Sequence, residues 1–368
     1  MKNLLVVAPH FPPKASGVGD YVFVMCEEWS KIYSSVTVLT LEKNPTRTNS
    51  TNVIVKSFEL SDLTWKIWRT LKTYNDSDIL IQFTPNMYAK LGLNIKLLVG
   101  LFITSLQGIR FSIYFHEKHH PVSAKWPDWW LGPIQKIIYL LLKKMSAKSL
   151  YSFAEDQIYQ DDQIIVPVCS NLIEAKPLDL EVKKKFGLDQ YLMFFGTTHA
   201  SKCIDWVLEA YIALDEKIKA KYPLVIVGSR REDLPTKYAS SNHNFIILNY
   251  LPTYEVSHLI AGATLLLAPF IDGLSSRRGS ALAAFENGVL VVSNFGRNTN
   301  TEIPWSDFCL MADQPDFLKF AQKVKEVLDS KVDYSDIKRN AVMNYQKYFS
   351  KKVIAQKIQN ALNVPNSP

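Results

Sequence analysis

The stretch TLLLAPFIDGLSSRRGSALAAFENGVLVVS, residues 264–293, decides the fold. It opens and closes on apolar, branched runs, which are typical of strands in a parallel sheet that is covered on both faces. Between the two runs lie a polar loop with two adjacent arginines and a helix. This order predicts a strand, a loop, a helix and a second strand. The loop leaves the carboxyl end of its strand, which is where open α/β folds bind ligands.

Apolar runs alternate with segments of helical periodicity along the whole chain, and this pattern predicts a βαβ arrangement. The first series of predicted strands lies at 4–8, 36–41, 53–55, 79–83, 111–115 and 149–153. The second series lies at 191–195, 224–227, 245–248, 264–268 and 290–293. A polar stretch near 170–189, which contains Pro177, separates the two series. The sequence therefore predicts two doubly wound, Rossmann-like domains, at 1–170 and 171–345.

The last segment, from 334 to 362, has helical periodicity and an apolar stripe that needs a surface to pack against. The stripe consists of Phe349, Val353, Ile354, Ile358 and Leu362. The lysine run at 183–185 is interpreted as a solvated helix face.

Size and composition indicate a globular protein of two domains, since the chain has 368 residues with 47% hydrophobic and 21% charged residues. The net charge of +7 is scattered, so it does not indicate nucleic-acid binding, but it suits an anionic substrate. The four cysteines are far apart in sequence, and we expect reduced thiols in a cytoplasmic protein. The apolar start reads as a first strand, and the longest apolar stretch, 91–108, is too short and polar for a membrane span.

A glycine-containing loop, APHFPPKASGVGDY at 8–21, follows the first predicted strand. Gly17 and Gly19 come just before a helix, whose free N–H groups and dipole favour an anionic or hydroxyl-rich ligand. A dinucleotide site is the alternative, and Glu42 has the position of its ribose-binding acid. The loop is too long for that fingerprint, and Val22 occupies the third glycine position.

The segment IYFHEKHH, at 113–120, places His116 directly after a strand, and we assign this histidine to the ligand site. His116 and His120 also match the zinc motif H-E-x-x-H. That motif requires a helix, whereas a strand is predicted to end at Phe115 and Pro121 follows the histidines. His119 and His120 are interpreted as surface residues.

Cationic residues follow two predicted strands of the second series. In FFGTTHASKCIDWVLEAY, at 194–211, a strand ends at Gly196 and Lys202 precedes a helix, where it can act as a phosphate counter-ion. In the quoted stretch, Arg277 and Arg278 precede another helix, and arginine supplies a planar fork of donors for phosphate oxygens. A diphosphate leaving group needs such a positive field because charge builds on its oxygen as the bond breaks. Solvated surface charges are the alternative.

Together these segments resemble the GT-B glycosyltransferases, and within them the retaining family 4 enzymes. The resemblance runs through FPPKASGVGDY, ILIQFTPNMY with FSIYFHE, and FFGTTHASKCIDWVLEAY. It continues through NYLPTYEVSHLIAGATLLLAPFIDG and GSALAAFENGVLVVSNFG, and so covers nearly the whole chain in the same order.

The resemblance implies two domains that face each other across a cleft, with the acceptor in the first and a nucleotide-diphosphate sugar in the second. It also implies a final helix, 346–368, that crosses back to the first domain. Gly17 and Gly19 would lie against the donor sugar or its phosphates, His116 beside the transferred sugar, and Lys202 on the diphosphate. The remaining donor contacts would come from Gly196, Asn249, Tyr250, Leu251, Asp272, Gly273, Leu274, Ser275, Gly279 and Ser280.

Two positions depart from the family pattern. Thr197 stands where the family usually has an arginine, and Ser280 stands where a second glutamate should hold the ribose. We infer that Arg277 or Arg278 replaces the arginine, and the ribose contact stays open. We expect neither a metal nor a cofactor, since these cations can replace a divalent ion at the diphosphate. We expect the donor to be a UDP- or GDP-sugar.

The acceptor is less well defined: a glycan, a lipid-linked sugar or a small molecule would fit. Residues 125–148 combine aromatic, apolar and lysine residues, as a helix at the inner membrane face or a half-buried helix would. Two other functions remain open: a sugar-nucleotide epimerase or phosphorylase on the same fold, and a non-catalytic sugar-nucleotide-binding protein.

Overall fold

The computed structural model describes residues 2–14, 16–120, 126–153, 163–172, 184–239 and 245–363. Pro121, Lys125, Pro177 and Lys183, which enter the sequence arguments above, lie outside these ranges. The described chain forms two compact units. Unit 1 consists of the residues up to Phe153, those from 163 to Pro167, and those from Lys351 onward. Unit 2 runs from Val168 to Ser350.

Unit 1 contains a parallel sheet of seven strands in the order β3-β2-β1-β4-β5-β6-β7. Strands β1, β2, β4 and β5 are almost fully buried because helices cover both faces. The strands are β1 (Asn3–Val7), β2 (Ser35–Thr40), β3 (Val53–Ser57), β4 (Asp78–Phe83), β5 (Ser112–Phe115), β6 (Lys148–Tyr151) and β7 (Ile164–Ile165).

The helices of unit 1 lie in two layers. Three of them, α2, α3 and α4, bury one face each in a single apolar cluster on one side of the sheet. On the other side, the last helix of the chain packs against α1, and the Gln359 side chain donates to the Ile32 carbonyl. The helices are α1 (Gly17–Ile32), α2 (Leu63–Thr73), α3 (Ile95–Leu106), α4 (Asp128–Met145) and α12 (Lys351–Asn363).

Unit 2 contains a parallel sheet of six strands in the order β10-β9-β8-β11-β12-β13. Both sheets therefore have the 3-2-1-4-5-6 order of doubly wound folds, in which the strand order reverses beside the first strand. The strands are β8 (Leu192–Phe195), β9 (Leu224–Val227), β10 (Phe245–Leu248), β11 (Leu265–Leu267), β12 (Val291–Asn294) and β13 (Leu310–Ala312).

The helices of unit 2 connect these strands and cover the sheet. Helix α5 and helix α10 pack against each other over an apolar cluster that includes Val207 and Phe320. The helices are α5 (Ile204–Ile212), α6 (Glu216–Lys221), α7 (Thr236–Ala239), α8 (Thr253–Gly262), α9 (Gly279–Glu286), α10 (Phe317–Asp329) and α11 (Ser335–Tyr348).

The predicted fold class is confirmed, and three details differ. The sequence analysis missed the short strands β7 and β13. It also predicted one helical segment over 334–362, whereas the structure has two helices, α11 and α12. The stripe divides at this break: Phe349 stacks on Trp305 of unit 2 at 5.7 Å, while Ile354 and Ile358 are buried in unit 1. Two different cores therefore bury what the sequence presents as one stripe.

The four cysteines are buried free thiols. Within the described ranges, no helix is both long and apolar enough to cross a membrane.

Candidate functional site

In doubly wound sheets the ligand site lies at the carboxyl ends of the strands where the strand order reverses. In unit 2 this point lies between β8 and β11, and in unit 1 between β1 and β4. Most of the predicted site residues lie in the connections that follow these strands. We describe the two units separately.

The turn after β8 brings Lys202 against Gly196. Gly196 has a φ of +147°, and a side chain there would collide with the Lys202 ammonium. Lys202 ends a short 3₁₀ turn, Ala200–Lys202, in which the His199 ring accepts from the Ser201 N–H. Burial, and next the charge of Arg278, lower the pKa of Lys202 to about 8. Because this pKa lies close to neutral pH, the charged form of Lys202 is only weakly favoured. An anionic ligand would stabilise that charged form.

The loop after β11 contains a buried carboxylate, Asp272, with two arginine partners. The Arg277 guanidinium contacts Asp272 Oδ2 at 2.8 Å, and the Arg278 guanidinium pairs with Oδ1. The Asn298 side chain also donates to Oδ2, at 2.8 Å. Burial alone would raise the pKa of Asp272, but the charge of Arg278 and then that of Arg277 hold it below its usual value. Asp272 is therefore ionised at neutral pH.

The arginines are thus not two solvated surface charges. Arg278 is buried, its guanidinium lies over the Phe270 ring at 4.4 Å, and it lowers the pKa of Lys202. The structure therefore unites Lys202, Asp272, Arg277 and Arg278 in one cluster, with three cations against one carboxylate. The excess positive charge at the carboxyl ends of β8 and β11 suits a phosphate group.

Residues that the sequence analysis missed hold this cluster in place. Asn294, at the end of β12, accepts from the Phe270 N–H and donates to the Phe270 carbonyl, at 2.8 and 2.9 Å. The Asn300 side chain accepts from the Ser276 N–H. On the other side, Ser229 donates to the Gly196 carbonyl at 2.7 Å. The segment SNFGRNTN, at 293–300, contains several asparagines at and after the end of a buried strand. That pattern could have indicated Asn294 and Asn300.

The predicted donor contacts from Leu274 to Ser280 divide into two groups. Leu274 and Ser275 are fully buried, and the Leu274 N–H donates to the Asn294 carbonyl. These two residues therefore stabilise the loop. Gly279 and Ser280 are partly exposed in the first turn of α9. Gly273 has a φ of +87° and packs against the backbone of Gly296.

The segment Asn249–Leu251 lies apart from the cluster. It follows β10, and β9 lies between β10 and β8 in the sheet. Tyr250 is 63% exposed. With about 4.8 Å between neighbouring strands, the segment lies about 10 Å from the end of β8.

In unit 1 the glycine loop packs closely at the start of α1. Ser16 caps the helix by accepting from the Gly19 N–H, and a side chain on Gly19 would meet the His10 carbonyl at 3.0 Å. Gly17 has no atom within 4 Å of the position that a side chain would take. The first turn of α1 therefore has free space beside Gly17 and none beside Gly19.

His116 follows β5 and is buried beside Tyr21 of α1, with 5.4 Å between the ring centroids. Its Nε2 hydrogen-bonds Gln82 Oε1 at 2.7 Å. Burial lowers the pKa of His116 to about 3, so the ring is neutral at physiological pH. Its contribution is that of a neutral hydrogen-bonding ring. Gln82, in β4, is a further residue that the sequence analysis missed.

Residues 116–120 are not helical, so His116 and His120 lack the arrangement that the zinc motif requires. Among the residues that the structure describes, no group of three or more metal-binding side chains is present.

No protein-family model and no curated protein sequence matches this chain. Solved structures match it over nearly their whole length. Sucrose-phosphate synthase from Thermosynechococcus elongatus gives a TM-score of 0.70 at 11% identity and covers 98% of both chains. Anabaena HepE in complex with UDP and glucose gives 0.70 at 12% identity, over 98% of this chain and 99% of that one. WaaG, a glycosyltransferase involved in lipopolysaccharide biosynthesis, gives 0.65 at 14% identity, over 98% and 99%.

The chain has the GT-B fold. At such low identities the likeness establishes the fold alone. The cation cluster of unit 2 lies at the reversal point of its sheet, where doubly wound sheets bind ligands, and His116 of unit 1 lies at the carboxyl end of β5, next to β4.

Proposed function

We propose that this protein is a glycosyltransferase that moves a sugar from a nucleotide-diphosphate donor to a hydroxyl acceptor. The observation that carries the proposal is the cluster of Lys202, Arg277 and Arg278 around Asp272, at the reversal point of the unit 2 sheet. Three cations against one carboxylate suit a diphosphate, and a diphosphate is the leaving group of such a donor.

The donor is a UDP- or GDP-sugar. HepE has been seen with UDP-glucose as well as with UDP and glucose, which favours a nucleotide sugar for a GT-B chain of the same length. Lys202 and one arginine contact the diphosphate, while Asp272 holds the sugar. Asn249, Tyr250 and Leu251 flank the base, about two strands away from the phosphates.

The reaction proceeds with retention and without a metal, as in the family 4 enzymes that the sequence resembles. The acceptor hydroxyl attacks the sugar carbon on the face from which the diphosphate leaves, and an oxygen of the leaving phosphate takes its proton. Such a reaction needs no pair of catalytic carboxylates at hydrolase spacing. The protein positions both substrates and stabilises the charge on the departing oxygen. His116, as a neutral ring, hydrogen-bonds the transferred sugar.

The acceptor is a glycan, a lipid-linked sugar or a sugar-like small molecule. A trehalose-phosphate synthase from Burkholderia xenovorans with a matching fold binds glucose-6-phosphate, and WaaG acts in lipopolysaccharide biosynthesis. Proteins with a matching fold therefore include one bound to a sugar phosphate and one that acts in lipopolysaccharide biosynthesis.

A second candidate is a non-catalytic sugar-nucleotide-binding protein. Two features favour it: Asp272 already has two arginines and Asn298 as partners, and Ser280 replaces the second glutamate of the family. Release of nucleoside diphosphate from a panel of nucleotide sugars and acceptors separates the two candidates. Binding without turnover supports the second.

Two variants test the diphosphate site. We expect Lys202→Ala and Arg277→Ala to weaken nucleotide-sugar binding about 10- to 100-fold, the usual value of a charge-assisted hydrogen bond, and to leave binding of the bare nucleoside almost unchanged. Arg339→Ala is the matched control, because Arg339 is an exposed residue of α11 with a surface ion pair. Calorimetry with both ligands provides the measurement. Equal losses for nucleotide sugar and nucleoside would contradict the assignment.

A further inference from the structure

Three neighbouring helices of unit 1 present their outer faces on the same side of the molecule. Helices α2, α3 and α4 all bury their inner faces in one cluster beneath the sheet, through residues such as Ile67, Leu101 and Ile138. Helices α2 and α3 are in close contact, since a side chain on Gly100 would meet the Thr64 carbonyl at 2.9 Å. Because the three helices form one layer, their opposite faces form one surface, which we call the α2–α4 surface.

Helix α3 contributes an apolar row to this surface. Ile95, Val99, Phe102 and Leu106 follow one another at helical spacing and are all exposed, Leu106 by 71%. A helix at a protein surface normally turns polar residues outward. Helix α3 instead has a buried apolar face and an exposed apolar face.

Helix α4 repeats this pattern and adds a cluster of tryptophans. Trp126, two residues before the start of α4, is 77% exposed, and its ring lies 6.4 Å from that of Trp129 and 6.2 Å from that of Trp130. Eleven of the 21 exposed large apolar side chains in the described chain belong to the α2–α4 surface. They are Trp65, Ile95, Val99, Phe102, Leu106, Trp126, Trp129, Ile134, Ile137, Leu140 and Leu141.

The charged residues of the same helices are almost all basic. The three helices contain seven lysines and arginines but one carboxylate, Asp128 at the start of α4. The basic residues are Lys66, Arg69, Lys72, Lys96, Lys136, Lys143 and Lys144. Exposed apolar and aromatic residues combined with a basic fringe are typical of helices that lie in a membrane interface.

We propose that the α2–α4 surface docks on an anionic lipid bilayer. The apolar residues enter the boundary between headgroups and acyl chains, the tryptophans lie at the headgroup level, and the lysines contact anionic headgroups. A second copy of this chain fits less well, because a two-fold contact would place this basic surface against itself. The proposal does not depend on the transferase activity.

Co-sedimentation of the full chain with vesicles tests the proposal, using phosphatidylcholine alone and phosphatidylcholine with phosphatidylglycerol. We expect binding to the anionic vesicles, weaker binding to the neutral ones, and a decrease with salt. Phe102→Ser with Leu106→Ser should lower the partition at least about tenfold. The matched control, Leu318→Ser with Val332→Ser, replaces two similarly exposed residues of unit 2 and should leave the partition unchanged.

The basic residues are tested in the same way. Lys136→Gln with Lys144→Gln should weaken binding about fivefold per lysine, whereas Lys347→Gln with Lys352→Gln, outside this surface, should not. All the substituted residues are partly or fully exposed, and thermal unfolding checks that each variant folds. The proposal is overturned if the surface variants bind vesicles as well as their controls do. It is also overturned if the wild type does not bind, or forms dimers in vesicle-free buffer that Phe102→Ser with Leu106→Ser abolishes.

Discussion

At the scale of single residues, the main finding is that Asp272 is a buried carboxylate with two guanidinium partners. A carboxylate removed from water needs compensating charge, and the loss of one partner of a buried pair is costly. This explains why the loop after β11 contains two adjacent arginines. The sequence analysis assigned these arginines to a diphosphate. The structure adds Asp272 as a partner of both, so the loop is ordered through these ion pairs.

The lowered pKa of Lys202 predicts how nucleotide-sugar binding depends on pH. The side chain is charged below a pKa of about 8 and neutral above it. If Lys202 contacts the diphosphate, affinity falls as the pH rises through that value, in total about tenfold or more. Calorimetric titrations one pH unit below and one above the pKa measure the change.

Lys202→Met supplies the control for this prediction, because it keeps an unbranched side chain, one atom shorter, and removes the charge. We expect the variant to bind weakly at both pH values, with an affinity near that of the wild type at high pH. A variant that retained the wild-type pH dependence would show that another group is responsible.

At the scale of elements, the ends of β11 and β12 determine the site. Gly273 follows β11 and packs on Gly296, which follows β12, so closely that neither position accommodates a side chain. Asn294 and Asn298 then connect the two loops through hydrogen bonds to Phe270 and Asp272. The position of Asp272 therefore depends on both strands.

Substitution of Gly273 tests this close approach. We expect Gly273→Ala to lower the free energy of unfolding by at least about 2 kcal/mol, because the added carbon collides with the Gly296 backbone at a positive φ. Gly108→Ala is the control: Gly108 has a φ of +73° but no atom within 4 Å, so only about 1 kcal/mol is lost. Urea titrations measure both, and similar losses would mean that the glycine contact does not matter.

At the scale of the whole molecule, the chain returns to unit 1 after completing unit 2. Helix α11 ends in the core of unit 2, and α12, three residues further on, buries Ile354 and Ile358 in unit 1. Strand β1 and helix α12 therefore belong to the same unit, and the Lys2 ammonium lies 3.2 Å from the Asn363 side-chain oxygen. The stability of unit 1 thus depends on α12.

Removing a large side chain from α12 should destabilise unit 1 selectively. We expect Ile358→Ala to cost about 2–4 kcal/mol, as a cavity in a buried core does. Hydrogen exchange should then become faster in α1 and β1, but not in β8 or β11. Lys352→Ala, on the exposed face of the same helix, should change neither. Faster exchange confined to unit 2 would contradict the assignment of α12.

The sequence by itself determined the local structure and its order. Runs such as 265–267 and 289–292 are apolar enough to indicate buried parallel strands, and for that reason the residues after each strand could be predicted to form a ligand site. The fold class followed from this alternation, because burial of an apolar run is decided within a few residues. The exposed apolar row of α3 was missed, since a helix with two apolar faces resembles a fully buried one in sequence.

Only the tertiary structure decided which distant residues meet. Asp272 and Asn298 are 26 positions apart, and Lys202 and Arg278 are 76 apart, so no periodicity relates them. Their meeting depends on the order of strands in the sheet, which places β8 beside β11 and β11 beside β12. The same holds for the division of the last stripe between two cores. The sequence determines the chemistry of each side chain. Its charge partners, its burial and its pKa depend on neighbouring residues, and the order of the strands determines which residues are neighbours.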